Sequence, residues 1–391
     1  MLSKRSENVV KKKRRQGQTE YFFDYSLLFI VLFLLGFGLV MLYSTSSYEA
    51  AQKYGSSTYY LMKQLRATIL GLAGMMIVAN IPYHFWERFY GFGYLISVVL
   101  LALIIPFGYE SGGAKRWFRI AGLSIQPSEI AKLCMILFLA VVICKMGRSI
   151  RSWKGFAALM MLPMPIVVMV WKITSNLSSA IIILGIAALM VFVASPDYKK
   201  FVLLGLAGVA GVALIVFVIV NMANADGLNY RGERVLAWLN PEAYVSDTGY
   251  QTLQALYAIG SGGIWGKGLG QSMQKLGFIP EAQNDMIFSI ICEELGLFGA
   301  VAIILMFVML IWRLMVIANN APDLFGALLV VGVMGHMAIQ VILNIAVVTN
   351  TIPNTGISLP FISYGGTAVL FQLAEIGLVL NVAKRIQLKE V

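Results

Sequence analysis

Long apolar runs alternate with short polar segments along almost the whole chain. Ten of these runs approach or exceed the roughly 20 residues that an α-helix needs to cross a bilayer. Lipid offers the backbone no hydrogen-bond partners, so such segments are predicted to be helical. In chain order, the ten predicted helices lie near residues 24–44, 66–81, 90–107, 129–146, 155–172, 177–195, 201–223, 286–312, 324–348 and 364–383.

The composition agrees with this pattern. Of the 391 residues, 59% are hydrophobic and only 13% are charged, which excludes a soluble globular protein. The predicted fold class is an all-α polytopic membrane protein with ten transmembrane helices. We expect a disordered basic tail over residues 1–20, a membrane domain over 21–385 and a short tail over 386–391. The three cysteines and two histidines do not form a disulfide or metal-ligand pattern.

Basic residues predict the orientation of the chain. Seven of them lie in the first 15 positions, and a basic segment ahead of the first span is typical of a cytoplasmic terminus. The even number of spans then places both termini in the cytoplasm and two longer loops, 108–128 and 224–285, outside. Aromatic residues do not interleave with this charge, so we expect contact with anionic membrane lipid and not with nucleic acid.

The junction between the second of these loops and the next span has the sequence IPEAQNDMIFSIICEELG, residues 279–296. Asp285, Ser289 and Glu293 are predicted to share one face of a helix, because they are four residues apart. Taken alone, Asp285 fits equally well as an acidic residue stabilised by a helix N-terminus. Glu293 and Glu294 favour a polar cavity within the membrane, where we expect them to pair with cations.

A second polar cluster precedes the fourth span. Pro127 is suited to the first position of a helix, which places Glu129 in the first turn and Lys132 three residues later. A local ion pair is the simplest interpretation, but in a membrane cavity the pair would also present Lys132 to an anion. Basic residues just upstream form an expected anion-binding rim: Lys115, Arg116 and Arg119.

Two further stretches are candidates for substrate contact. In the loop over 224–285, one apolar helical face predicts a helix at the membrane surface, followed by GSGGIWGKGLG. That glycine-rich segment is either a flexible turn or a set of amides that, with Lys267, lies near a phosphate. Arg231 in the same loop is another candidate cation. The stretch NTGISLPFISYGG, residues 354–366, includes Ser363 and either makes a turn or lines a cavity.

Four motifs, in this order on ten predicted spans, carry a family resemblance: RGERVLAWLNPE, YQTLQALYAIGSGGIWGKGLG, IPEAQNDMIFSIICEELG and LPFISYGG. They resemble the SEDS family of shape, elongation, division and sporulation proteins, and the likeness covers nearly the whole chain. The start, with FDYSLLF and GLVMLYSTSS, is more similar to the FtsW and SpoVE branches than to RodA. One departure is TSNLSSA before the sixth span, where members often carry an acidic stretch.

The resemblance implies a peptidoglycan glycosyltransferase that polymerises lipid II outside the cytoplasmic membrane. It places the essential carboxylate on Asp285, as a general base for the acceptor hydroxyl. We expect the substrate, with its lipid pyrophosphate, to contact a group of polar and basic residues: Lys132, Glu129, Arg116, Lys115, Arg231, Lys267 and Ser363. A divalent cation, Mg²⁺ or Mn²⁺, is an expected helper, with ligands that the sequence does not assign, and no organic cofactor is expected.

The resemblance also implies partners and a location. The expected partners are lipid II and its lipid-linked glycan, a class B penicillin-binding protein, and divisome or elongasome proteins. The expected location is the cytoplasmic membrane, with the active site facing outward and the division septum as the site of action. The alternative function is a lipid II flippase, which would need polar residues through the whole membrane. A non-catalytic scaffold leaves the cation-rich outer loops unexplained.

Overall fold

The computed structural model describes residues 24–111, 114–120, 123–195, 197–222, 230–244 and 248–386. The tail predicted over residues 1–20 therefore lies outside the described residues, as do residues 387–391. In the described part, ten helical spans are long and apolar enough to cross a membrane, which confirms the ten predicted segments.

The helices, in chain order, are α1 (Tyr25–Tyr54), α2 (Tyr59–Asn80), α3 (Tyr83–Glu87), α4 (Tyr90–Phe107), α5 (Pro127–Met146), α6 (Trp153–Met161), α7 (Met164–Ile173), α8 (Leu177–Ala194), α9 (Tyr198–Met222), α10 (Tyr230–Leu239), α11 (Thr248–Gly262), α12 (Ile287–Asn319), α13 (Leu324–Val348) and α14 (Gly366–Ala383). Short 3₁₀ turns follow α5 and α10, at Gly147–Arg151 and Pro241–Tyr244. The fifth span consists of α6 and α7, which are separated at Leu162 and Pro163 because proline cannot continue the helical hydrogen bonding.

A small antiparallel sheet adds to the helical fold in the loop predicted over 108–128. Its three strands, β1 (Tyr109–Ser111), β2 (Ala114–Ile120) and β3 (Leu123–Ile125), lie in the order β1-β2-β3. The sequence analysis did not anticipate this sheet, because strands of three to seven residues give too short an alternation to stand out. The sheet leads directly into α5, which begins at Pro127 as expected.

The helices differ in how deeply they lie in the bundle. Helices α13 and α14 are the most enclosed. In the most apolar 18-residue stretch of each, 67% and 72% of the residues are buried, and the two helices pack on one another and on α5. Helix α9 lies at the edge of the bundle and packs mainly against α8 and α10. None of the residues in its most apolar 18-residue stretch is buried. Its apolar side chains are exposed along its length, as expected for a helix whose other faces meet lipid.

Helix α12 is interrupted at Gly296, whose φ of 65° and ψ of −165° are open only to glycine. The first two amides after this residue donate to the carbonyls of Gly263 and Ile264, at 3.0 and 3.3 Å. The carbonyls of the two glutamates before it accept from the amides of Lys267 and Gly268, both at 2.9 Å. The glycine-rich segment thus replaces the missing helical hydrogen bonds, and it is an ordered structural element and not a flexible turn.

Candidate active site

Asp285 lies in the turn just before α12, two residues ahead of the first helical residue Ile287. The predicted stripe is therefore wrong for Asp285, although Ser289 and Glu293 do lie one turn apart on the helix. The turn closes tightly, since the amide of Ser289 donates to the carbonyl of Met286 at 3.0 Å. Asp285 is thus carried by a short, ordered turn at one end of the bundle, which we call the Asp285 end.

Two chain segments meet at Asp285. The side-chain amide of Asn344, near the end of α13, donates to the Asp285 carbonyl at 2.8 Å and to the Ile357 carbonyl at 2.6 Å. Gly356 lies against the carboxylate, because a Cβ built on it would stand 3.8 Å from Oδ2 of Asp285. The segment 354–366, which the sequence left open between a turn and a cavity lining, is therefore one wall of the site.

The environment of Asp285 suits a base that works near neutral pH. The residue is half-buried, and burial of its carboxylate raises the pKa to about 6 from an ordinary value of 3.8. The negative charge of Glu281 acts in the same direction, whereas the local backbone amides and the guanidinium of Arg234 lower the pKa. At pH 7 the carboxylate is mostly ionised yet basic enough to accept a proton, as general-base catalysis requires.

Arg234 belongs to α10, which contacts the chain at Asn350 and Asn354. Its Nη1 atom donates to the Asn354 carbonyl at 3.1 Å, and Nε1 of Trp238, one turn later, donates to the Asn350 carbonyl at 3.0 Å. Both Arg231 and Arg234 are outer-loop cations in the sequence, but only Arg231 was predicted to contact the substrate. The spacing of four residues between Arg234 and Trp238 could have predicted that both side chains lie on one face of a helix. The side chain of Arg231 lies outside the described part of the structure.

Glu129 and Lys132 form the ion pair that their spacing predicted. The distance from Nζ of Lys132 to Oε1 of Glu129 is 2.8 Å, and both side chains are buried at the start of α5. The other carboxylate oxygen of Glu129 is buried and has no partner among the described residues. A charged pair held inside a membrane protein in this way is costly, so it favours a role in binding or chemistry over a purely structural one.

The basic strand β2 contributes differently from one residue to the next. Lys115 is exposed. Arg116 donates to the carbonyls of Thr174 and Ser175 at 3.0 and 3.1 Å, which fixes the sheet to the turn between α7 and α8. The next turn of chain reaches the wall of the site, because the Ser178 hydroxyl donates to the carbonyl of Thr355. The segment that departs from the family's acidic pattern is thus a structural link between sheet and site.

Lys267 and Ser363 are both engaged within the protein. Nζ of Lys267 lies 2.6 Å from Oε1 of Glu293, and Nζ of Lys275 lies 2.8 Å from Oε1 of Glu294. Both glutamates are completely buried and pair with cations, as expected. The buried Ser363 hydroxyl accepts a hydrogen bond from the Leu359 amide at 2.7 Å and closes a turn of the wall. These contacts give Lys267 and Ser363 structural roles, whatever else they bind.

An apolar groove of about 860 Å³ runs along α9 and ends at α10. Its lining is almost wholly small or aliphatic: Gly205, Gly208, Val209, Val212, Ala213, Val216, Phe217 and Trp238. Trp238 lies one turn from Arg234, so the groove ends beside the helix that interacts electrostatically with Asp285. A cleft of this volume and polarity suits a hydrocarbon chain.

The chain is similar to known proteins over nearly its full length. The family described as "Cell cycle protein", which groups FtsW, RodA and SpoVE, matches residues 25–388. Stage V sporulation protein E of Bacillus subtilis is 38% identical over 364 residues, covering 92% of this chain and 97% of the relative. A probable peptidoglycan glycosyltransferase FtsW of Trichlorobacter lovleyi is 37% identical over 369 residues, covering 94% of each chain.

A solved structure is also similar over nearly the full length. It comes from work on polymerization and crosslinking coordinated by a peptidoglycan synthase complex. Its TM-score is 0.77 at 29% sequence identity, and the match covers 93% of this chain and 98% of the other. The sequence and structural likenesses therefore coincide over the same ten-helix bundle.

Proposed function

The chain belongs to the FtsW, RodA and SpoVE family of cell cycle proteins, and from this membership we propose that it is a peptidoglycan glycosyltransferase that polymerises lipid II. The observation that supports this most strongly is Asp285 itself. A carboxylate with a pKa of about 6 lies between two ordered chain segments, close to the helix on which an apolar groove ends. That combination suits a substrate with a long lipid tail and a sugar that must lose a proton.

The reaction follows from the roles of these groups. The donor carries a pyrophosphate on C1 of its terminal sugar, and the acceptor brings the 4-hydroxyl of GlcNAc. Asp285 accepts the hydroxyl proton while the acceptor oxygen forms a bond to C1 with inversion. The bond from C1 to the pyrophosphate oxygen breaks, and its electron pair leaves with the pyrophosphate. No acid is needed for this departure, because pyrophosphate is a stable anion.

Cations at the Asp285 end offset the negative charge that builds up on the leaving group. Lys132 is the foremost of these, because its ammonium group is buried at the start of α5, where a cation interacts with an anion more strongly than it does in water. Arg234 is a second, since its charge already lowers the pKa of Asp285. Such preorganised charges stabilise the transition state most strongly where water is excluded. Lys115 and Arg231 remain candidates for contact with the lipid pyrophosphate.

The side chains of the site limit which groups could hold a divalent cation. Among the described residues, no three His, Cys, Asp or Glu side chains lie together as a metal site. Mg²⁺ commonly uses one or two carboxylates, several waters and the phosphates of its substrate. We therefore propose that the pyrophosphate oxygens and water, with one or two protein carboxylates, would hold such an ion. It would supply positive charge to the leaving group.

The partner and the location follow from the same family. The similarity to a solved peptidoglycan synthase complex supports a class B penicillin-binding protein as the partner that crosslinks the new strands. The ten apolar spans support a multi-pass membrane protein, and the basic segment ahead of the first span supports the cytoplasmic membrane with the Asp285 end facing outward. The likeness to sporulation and FtsW proteins supports work at a septum with other divisome proteins.

The test uses purified protein, labelled lipid II and Mg²⁺ or Mn²⁺, with and without a cognate class B penicillin-binding protein. The expected result is a ladder of glycan strands that chelation with EDTA removes and added Mg²⁺ or Mn²⁺ restores. No ladder under any condition, together with transfer of lipid II across proteoliposome membranes, would contradict the polymerase and establish the flippase alternative.

A further inference from the structure

We propose that Asn344 is a positioning residue for this reaction: its side-chain amide ties the main chain of Asp285 to the wall of the site, residues 354–366. The proposal rests on the proposed function for its consequence, but its geometric part stands on the hydrogen bonds alone. Asn344 is in α13, 59 residues from Asp285 along the chain.

The hydrogen bonds show how a single side chain reaches both segments. Its Nδ2 atom has two hydrogens, and it donates one to the Asp285 carbonyl at 2.8 Å and the other to the Ile357 carbonyl at 2.6 Å. Both donor positions of the amide are therefore used. The second acceptor, Ile357, follows Gly356, the residue that lies against the Asp285 carboxylate. Asn344 thus sets the distance between the turn that carries Asp285 and the wall that the Asp285 carboxylate faces.

The burial of Asn344 indicates that this link has a use. The residue is completely buried in one of the two most enclosed membrane helices, where a polar side chain is expensive. Packing alone would be served better by leucine. Its own oxygen, Oδ1, is buried and has no partner among the described residues. The side chain therefore keeps a polar atom unsatisfied in order to place its amide between Asp285 and Ile357.

Displacing a general base by about 1 Å from its acceptor can cost on the order of 10²-fold in rate. Asp285 precedes α12, so its main chain lies outside the helix, and on its N-terminal side the Gln283 carbonyl accepts a hydrogen bond from the Tyr364 amide at 2.9 Å. The contact with Asn344 supplies a fixed point on its main chain. We therefore expect loss of this amide to lower kcat more than it changes KM, since substrate contacts themselves are retained.

The structure offers a matched control one turn away on the same helix. Gln340 is also buried, and its side-chain amide also holds the wall, through the Ser358 carbonyl at 2.9 Å and the Ser358 hydroxyl at 3.3 Å. Its hydrogen bonds reach Ser358 and not Asp285. If holding the wall were all that mattered, loss of either amide would have the same effect.

The experiment compares Asn344→Ala and Gln340→Ala with the wild type in the full-length protein. Polymerisation of lipid II is measured from pH 5 to pH 8, and hydrogen–deuterium exchange is measured over residues 280–288 and 354–366. For Asn344→Ala we expect kcat to fall at least tenfold, KM to stay within threefold, and exchange to rise in both segments. The midpoint of the acid limb should move below the wild-type value, because a loosened site admits water around the carboxylate.

For Gln340→Ala we expect faster exchange over 354–366 only, with a smaller fall in kcat and a smaller shift of the acid limb than for Asn344→Ala, because the Asp285 main chain keeps its hydrogen bond to Asn344. Equal effects of the two variants on kcat, pH profile and exchange would overturn the proposal. So would an Asn344→Ala protein with unchanged exchange over 280–288. If the alanine variant does not fold, Asn344→Asp keeps the size of the side chain and can donate at most one of the two hydrogen bonds, and the same criteria apply. If the wild type makes no glycan, the proposed function fails, and exchange alone decides whether Asn344 holds Asp285.

Discussion

Lys275 and Glu294 form an ion pair beside the break in α12, with 2.8 Å between Nζ and Oε1 and almost no exposure of either side chain. The Ser44 hydroxyl of α1 joins them, donating to Glu294 at 2.7 Å and accepting from Lys275 at 2.9 Å. This contact fixes the polar segment that leads to Asp285 against two membrane helices. We therefore expect this buried ion pair to stabilise the part of the fold that carries Asp285.

Glu294→Gln should destabilise the protein by about 3–5 kcal/mol, because it leaves the Lys275 charge buried without its counter-ion. The double variant Lys275→Met/Glu294→Gln should recover part of this loss, since no unpaired charge remains. Thermal unfolding in detergent measures both. Lys53→Ala is the control: it breaks the exposed pair with Glu49 and should cost less than about 1 kcal/mol. Equal losses from Glu294→Gln and Lys53→Ala would contradict the role given to the buried pair.

Gly296→Ala should lower the stability by at least about 1–3 kcal/mol, the usual cost of a disallowed backbone conformation. A Cβ at Gly296 would lie 2.3 Å from the Gly266 amide nitrogen and 2.5 Å from the Ile264 carbonyl oxygen, which are backbone atoms that cannot move aside cheaply. Gly74→Ala in α2 is the matched control, because a Cβ there meets no atom within 4 Å. The melting temperatures of the two variants are compared. A Gly296→Ala protein as stable as Gly74→Ala would show that the break in α12 is not required.

Polymerisation should fall as the pH drops through about 6, because protonation of Asp285 removes the base. Above that pH the carboxylate is ionised and the rate should reach a plateau. The pH dependence of kcat on purified protein checks this. An acid limb centred near 4, the range of an ordinary aspartate, would mean that Asp285 is not held in the buried environment described.

The raised pKa of Asp285 also affects stability: activity should rise with pH through about 6, whereas stability should fall. Because burial raises the pKa in the folded protein, the unfolded chain loses this proton first, and stability falls as the pH rises from 3.8 to about 6. The difference between the two pKa values corresponds to about 3 kcal/mol in the free energy of unfolding. Solvent screening of the half-exposed side chain reduces this to on the order of 1 kcal/mol. Asp285→Asn should therefore be more stable than the wild type at pH 7 but not at pH 4. Equal melting temperatures at pH 7 would contradict this.

Lys132→Met should lower kcat/KM by roughly 10²-fold or more if this lysine offsets charge on the leaving pyrophosphate, since charge-assisted contacts are the strong ones. Lys145→Met, at the other end of α5, is the control, because Lys145 is exposed and its ammonium contacts the hydroxyl and the ring of Tyr90, away from any carboxylate partner among the described residues. Its activity should stay near that of the wild type. Steady-state kinetics with folded protein confirmed by gel filtration decide the matter, and equal kinetics for the two variants would remove Lys132 from the reaction.

The sequence predicted the architecture well because membrane burial leaves a strong signal. Each of the ten spans is a continuous apolar run, and the carboxylates within or beside those runs are conspicuous. The Glu129 and Lys132 pair was also predictable, because both residues lie on one helix three positions apart. Local spacing and hydrophobicity are sufficient for features of this kind.

Features that depend on distant segments could not be predicted in this way. The break at Gly296 depends on a loop that comes about 30 residues earlier, and a glycine inside an apolar run gives no sign of it. The contact between Asn344 and Asp285 joins residues 59 positions apart. The tight turn at Met286 makes α12 begin after Asp285. Asp285 therefore lies in the loop before the helix and not on the predicted helical face with Ser289 and Glu293.

The proposed reaction depends on the Asp285 carboxylate, which takes the proton from the 4-hydroxyl of the acceptor sugar. The most direct measurement is the length distribution of glycan made from labelled lipid II by the wild type, Asp285→Asn and Glu281→Gln, at equal amounts of folded protein. Glu281 is the neighbouring exposed carboxylate, and its amide variant keeps the size and removes the charge. Full ladders are expected from the wild type and Glu281→Gln, and none from Asp285→Asn. A ladder from Asp285→Asn comparable to that of the wild type would contradict it.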